Sequence, residues 1–435
     1  MIPCVVACPP GVFRGRRGRG TRARDATGVP ELQSDRRCVG RQIIAVVLAL
    51  GSSLGLVAAV LSLPPPGFAA TRLDFTFLTF GNWNDRMPAW SPDGSAVAYV
   101  SDQNGVWQVF TMKPDGTSDK AVTPSSYAAS FPTWRPDSSA LAFWTQSGSK
   151  TDIRVLFVGN STTRSITSGG YSVLQKAPKW SPDGRRLLFY STGSTTALLS
   201  YDFETGSISH VADVQGNSSS ASWLSDTEVV FSAAGAPESP LMWADVANAS
   251  AGVYLQWNAS ILSPAASIST WRTAFISDVV PPNPYGRSYI GAYRPGDYVM
   301  WVAGLDGSNA TFEYGWVPKA GEAVPGIQYW QMYPCPYTPG LIVPSQDMKW
   351  SPDGNIVAFA ALNGTGVPQV YLWDVFRWTC TTGALAWGIW NSTDPAWGPA
   401  GGSLLVAASQ SGYYHIVEVN ATNLAQALPF GARDA

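Results

Sequence analysis

Few side chains in this sequence have the type and spacing that chemistry requires. The chain holds two histidines, His210 and His415, and five cysteines, Cys4, Cys8, Cys38, Cys335 and Cys380. A serine hydrolase needs a Gly-x-Ser-x-Gly elbow with a histidine in a catalytic role, and none lies in the body after residue 70. Zinc sites group cysteines and histidines at close spacing, but no Cys-x-x-Cys occurs and only Cys335 and Cys380 lie in the body. The aspartates make no Asp-x-Asp cluster of the calcium-binding kind, and no glycine-rich loop opens a helix to cradle phosphate. No metal or cofactor is expected and no catalytic residue is assigned. Both histidines fall in strand-like runs and are read as solvated or satisfied positions.

Asparagine carries a clearer message. Asn160, Asn217, Asn248, Asn258, Asn309, Asn363, Asn391 and Asn420 each begin an Asn-x-Ser/Thr sequon, eight of the fourteen asparagines in the chain, where chance would give roughly three. Oligosaccharide is added without disturbing a core when the acceptor sits in an exposed turn, so the excess points to a glycosylated body in the secretory lumen. In that oxidising compartment Cys335 and Cys380 could pair. Tyr329, Trp330, Tyr333 and Tyr337 form an aromatic set flanked by prolines. They suit a partner or glycan surface, although packing onto the body is the commoner fate of such residues.

The elements that would position these residues follow from composition. The 435 residues include 42 Gly, 33 Pro and 19 Trp with only 13% charged residues, which suits many short strands joined by turns. Trp90-Ser-Pro-Asp-Gly94 precedes a strand-like run, and the same device returns at Trp180 and Trp350, with looser forms at Trp134, Trp223 and Trp397. In such a turn Pro pre-sets φ, Asp bonds backbone just beyond itself and Gly accepts the closing conformation. Successive Trp positions are 44, 46, 43, 127 and 47 residues apart. A period in the forties with four strands per unit marks an all-β propeller, in which the repeated Trp packs between blades. Seven four-stranded blades are expected, six or eight being the alternatives. The long interval is read as irregular or inserted at about 265–345, with Tyr293-Arg-Pro-Gly-Asp297 and, more faintly, Trp271 as degenerate motifs. Either Leu73 to Phe80 or Asn423 to Phe430 would supply the outer strand that closes the ring.

Ahead of the body, residues 1–42 carry nine Arg against three acids, while the remainder holds 19 basic and 27 acidic residues. The acidic body speaks against nucleic acid, whose phosphates need a concentrated basic surface. Ile43 to Leu63 is 21 residues without charge or Pro, long enough to span a bilayer as a helix. Arginines on its N-terminal side predict a disordered cytoplasmic tail over 1–42, a signal anchor over 43–63, a linker over 64–70 and a lumenal or extracellular propeller over 71–435. A cleaved signal peptide and a chloroplast lumen transit peptide are rival readings. Cys38, beside the membrane segment, is a candidate for acylation.

The run Pro88-x-Trp90-Ser-Pro-Asp-Gly94, followed by two strands and the closing Ala121-Val-Thr123, resembles the TolB-like β-propeller repeat. It is similar also to propeller domains of the dipeptidyl peptidase IV type, although the hydrolase domain that follows in those proteins is not expected here. The likeness extends in repeat form over roughly residues 71 to 430. It implies a non-catalytic interaction module, which with the 43–63 segment gives a membrane-tethered propeller that binds protein or glycan partners; an enzyme, a hydrolase or lyase with its site on one propeller face, is the alternative.

Overall fold

The computed structural model describes residues 75–214, 220–232, 240–255, 261–270, 272–277, 299–304, 348–362, 367–374, 379–380, 391–409 and 412–421. The chain divides into two compact units, Met1–Phe68 and Ala69–Ala435, and the described residues all belong to the second. The basic tail and the candidate membrane segment at 43–63 lie outside them. Among the described residues no helix is long and apolar enough to cross a membrane, and all the elements are strands.

These strands form seven antiparallel sheets, here called blades 1 to 7. Blade 1 spans residues 85–121, blade 2 128–165, blade 3 172–214, blade 4 221–255, blade 5 261–304 and blade 6 349–380. Blade 7 spans 391–420 and is completed by Phe75–Phe77, which pairs with Tyr414–Asn420. Six blades have at least four strands, and blade 5 shows three. The β-propeller architecture read from the repeat is therefore the observed one. Leu73 to Phe80 contains the closing strand; Asn423 to Phe430 lies outside the described residues.

Each second strand is apolar on both sides because both sides face a neighbouring blade. In Arg186–Thr192 of blade 3, Leu187 and Phe189 join blade 2 residues Ile153 and Val155. Leu188 and Tyr190 point the other way and join blade 4 residues Val229 and Phe231. The period-2 alternation of side chains thus places two apolar faces on one strand. The first strands of successive blades contact one another around the axis, and the first strand of blade 1 also meets blade 7, closing the ring.

Blade 5 corrects the reading of the long interval. Its first strand is Ile261–Ser267, its second Arg272–Ser277 and its third Val299–Gly304. Trp271 and Tyr293-Arg-Pro-Gly-Asp297 themselves lie outside the described residues, and the runs that follow them are a second and a third strand, so neither motif marks the Trp-bearing position. That position is Ala266, 43 residues after Trp223, and the carbonyl of Ala265 beside it accepts the Trp350 indole N–H at 2.8 Å. The sequence offered two signals for it, the 43-residue step from Trp223 and Pro264 standing two residues ahead as Pro88 stands before Trp90.

Candidate binding face

The turn after each first strand is satisfied locally. Ser91 Oγ donates to Asp93 Oδ1 at 2.6 Å and accepts the Ala96 N–H at 2.9 Å. Ser181 repeats this with Asp183 at 2.6 Å and Arg186 at 2.9 Å, and Ser351 with Asp353 at 2.5 Å and Ile356 at 2.9 Å. Gly94, Gly184 and Gly354 sit at φ +71°, +69° and +70°, the left-handed region that admits glycine freely. The Ser91 hydroxyl and the Ser95 amide lower the Asp93 pKa to about 2. These turns, with those between third and fourth strands, make one face of the propeller: the turn face.

The six Trp residues stand on the strands leading into these turns, and five of them form a girdle of inter-blade hydrogen bonds. The indole N–H of Trp134 donates to Ala89 O at 3.1 Å, Trp180 to Thr133 O at 3.1 Å, Trp223 to Lys179 O at 3.0 Å and Trp397 to Lys349 O at 3.1 Å. Apart from the Trp350 bond to Ala265, each acceptor directly precedes the Trp of the preceding blade. Trp90 Nε1 is buried without a partner. At Ala266, which has no indole, the backbone N–H instead bonds Ser222 Oγ at 3.0 Å.

The opposite face carries the connections between second and third strands and between blades: the loop face. Its polar groups bond from blade to blade. Four first strands bulge three residues before the Trp position, at Met87, Phe131, Ser263 and Asp394, which have φ between +50° and +56°. Each precedes a proline that has no N–H for the ladder. The bulge in blade 7 aims Asp394 at Arg86 of blade 1, with Nε to Oδ2 at 3.5 Å. Arg86 also donates from Nη2 to Thr393 Oγ1 at 3.3 Å and lies 4.5 Å from the Tyr414 ring centre. Asn84 bonds Asp102 through backbone N–H at 2.7 Å and Nδ2 at 3.0 Å, and its Oδ1 accepts the Tyr414 N–H at 3.3 Å.

Beneath this network Asp85 and His415 are buried together, with His415 Nδ1 3.7 Å from Asp85 Oδ2. Neither carboxylate oxygen nor that ring nitrogen has a hydrogen-bond partner. Burial pushes the Asp85 pKa up, and the nearby Ser101 and Thr79 hydroxyls and the His415 ring draw it part of the way back. His415 is thus a buried strand residue beside a carboxylate, whereas His210 is exposed and meets Asp213 at 2.9 Å. Three large apolar side chains are exposed on the loop face at blades 7 and 1: Phe80 (68%), Trp107 (37%) and Tyr413 (38%).

Of the sequon asparagines, Asn160 lies exposed in a turn, where its Oδ1 accepts the Thr162 N–H at 3.1 Å and hydroxyl at 2.7 Å. Asn248 is exposed in a turn and Asn420 is exposed at the end of its strand, while Asn391 is half-buried beside buried Ser392. Asn217, Asn258, Asn309 and Asn363 lie outside the described residues, as do Tyr329, Trp330, Tyr333, Tyr337 and Cys335. Cys380 is on the strand Thr379–Cys380. Among the described residues no group of three His, Cys, Asp or Glu is placed to hold a metal. The loop-face network went unseen in the sequence because its partners are 307 and 330 residues apart.

Comparison with known proteins agrees with this architecture. The family model for the TolB beta propeller domain matches residues 70–228. The protein TolB homolog of Protochlamydia amoebophila is 33% identical over 64 residues, which cover 15% of this chain and 14% of that relative. Among solved structures, oligogalacturonate lyase from Vibrio parahaemolyticus shares 11% identity at TM-score 0.53, covering 81% of this chain and 94% of that one. The β-propeller domain of the trilobed protease from Pyrococcus furiosus shares 13% identity at TM-score 0.51, covering 78% and 94%. At these identities the solved structures share the fold alone. The Trp-Ser-Pro-Asp-Gly units and the matched segment agree: this chain carries a TolB-like β-propeller, with residues 70–228 matching the TolB beta propeller domain model.

Proposed function

We propose that this propeller is a non-catalytic protein-interaction module whose partner docks on the loop face of blades 7 and 1. One observation carries the reading: Phe80, Trp107 and Tyr413 are all exposed on that face, and aromatic residues are the side chains that most often anchor protein interfaces. The TolB relationship supports a protein partner. The reading takes the ring as seven-bladed. It takes residues 43–63 as a membrane anchor and the sequons as glycosylated on the lumenal side, on the strength of the charge asymmetry and the sequon excess.

Photo-crosslinking tests the docking face. A benzoylphenylalanine at position 107 or 413 is expected to capture a protein partner in the native cell, while the same group at Val158 or Ile268, exposed on the turn face, is not. Capture from the turn-face positions alone would overturn the reading. Glycosidase treatment with protease protection of sealed vesicles tests the topology; an unglycosylated, protease-sensitive body would overturn that part.

A further inference from the structure

A cleft of about 130 Å³ lies between the chain leaving the closing strand and blade 1. Phe80 and Trp83 contribute aromatic walls, Asp85 and Asp119 two carboxylates, and Gln103 an amide. No lysine or arginine lines it among the described residues. Asp119 Oδ1 accepts the Tyr99 hydroxyl at 2.5 Å. Asp85 is fully buried and neither oxygen has a hydrogen-bond partner, the Ser101 and Thr79 hydroxyls standing nearby; among the described residues the ionisable nitrogen beside it is His415 Nδ1 at 3.7 Å, outside hydrogen-bond range. Gly81, at φ +144°, lets Trp83 close over the backbone: a Cβ there would stand 2.3 Å from the indole. The wall is thus built by a residue choice that costs conformational freedom.

Aromatic faces attract an organic cation, and a buried carboxylate without a partner is stabilised by one. A void of this volume, several times that of one water molecule, suits a side chain better than a single bound water. We propose that the cleft receives a lysine or arginine side chain presented by the protein partner, its cation against Asp85 and Asp119 and its aliphatic stem against Phe80 and Trp83. This rests on the loop face being the partner surface. Phe80, the most exposed large apolar side chain described, stands at the same cleft and joins it to that surface.

The test uses the full chain labelled with 5-fluorotryptophan, with the Trp83 resonance assigned through Trp83→Phe. The probes are Nα-acetyl-lysine methylamide, Nα-acetyl-arginine methylamide and, as the uncharged control, Nα-acetyl-norleucine methylamide. A saturable shift of the Trp83 resonance is expected with a basic probe and not with norleucine. Asp85→Asn and Asp119→Asn should each weaken binding about tenfold or more, the usual scale for losing one charged hydrogen-bond partner, with the other fluorine resonances in place as the control for folding. Gly81→Ala should weaken it too, by displacing Trp83. No shift with either basic probe, equal binding of norleucine, or unchanged binding in both aspartate variants would overturn the proposal. If titration fails while position 107 still crosslinks a protein, the cation site falls and the docking face stands. If titration succeeds without crosslinks, the docking face falls and the cation site stands.

Discussion

The two faces of this propeller solve the same problem, satisfying backbone and side-chain groups at strand ends, in opposite ways. On the turn face the solution is local: Ser91, Asp93 and Gly94 close their own turn within six residues. Neighbouring turns then rest on one another, as Asp93 N–H does on Ser138 Oγ at 3.0 Å and Arg135 Nε on Gly184 O at 2.9 Å. On the loop face the solution is distant. Arg86, Asp394, Tyr414 and Asn84 become partners only after the ring has closed. A locally satisfied face can repeat around the ring and has little left to offer a partner. A face satisfied across the closure differs from blade to blade, and it leaves the Asp85 carboxylate oxygens and His415 Nδ1 buried without a hydrogen-bond partner.

The contrast can be broken by experiment, beginning with the girdle that supports the turn face. Trp223→Ala removes a nearly buried indole and its bond to Lys179 O, and should lose about 3–5 kcal/mol in urea unfolding; a loss below about 1 kcal/mol would mean that the girdle does not hold adjacent blades together. Ser181→Ala removes one turn's central hydroxyl, which is buried. It should cost about 1–2 kcal/mol in the same assay.

Acid should separate the faces by sign. Hydrogen bonds lower the pKa of Asp93, to about 2, and of Asp115, where Thr117 is the main donor. The stability these turn acids contribute is present above their unfolded pKa of 3.8 and lost as pH falls through their lowered folded values. Asp85 has the opposite shift, raised by burial. Its protonated form favours the fold, so its contribution is present below pH 3.8 and lost as pH rises through the raised folded value. Asp85→Asn should therefore raise the unfolding midpoint at pH 7, and that gain should shrink at acid pH; a lower midpoint at pH 7 would contradict the sign. The smallest effect is expected on the loop face: Trp107→Ala or Tyr413→Ala should change stability by no more than about 0.5 kcal/mol while abolishing partner capture.

What the sequence disclosed follows the same division. The turns were legible because serine, aspartate and glycine act on backbone within a few residues, so their chemistry is written contiguously. The spacing of Trp90, Trp134, Trp180 and Trp223 then counts blades without any long-range information. Blade 5 escaped because its marker is Ala266, and the bond that a Trp would make there is replaced by a backbone N–H to Ser222. The surviving signals were Pro264 and the 43-residue step from Trp223. The cleft at Asp85 was illegible for a different reason. It is bordered by residues before and within blade 1, and Asp85's neighbour His415 is brought there from blade 7 by the pairing of Phe75–Phe77 with Tyr414–Asn420.

That pairing also has a mechanical consequence. Tension travelling along the chain from residues before Phe75 reaches the closing strand first, and three residue pairs, Phe75 with Val419, Thr76 with Glu418 and Phe77 with Val417, lie in its path. Just beyond them, Leu78 N–H bonds Ile416 O at 2.9 Å and the Ile416 N–H bonds Thr79 Oγ1 at 2.9 Å. A pull strong enough to peel this strand would unfasten blade 7 from the chain that borders the cleft at Phe80 and Trp83. The ring's fastening and its candidate recognition pocket would therefore yield to the same load.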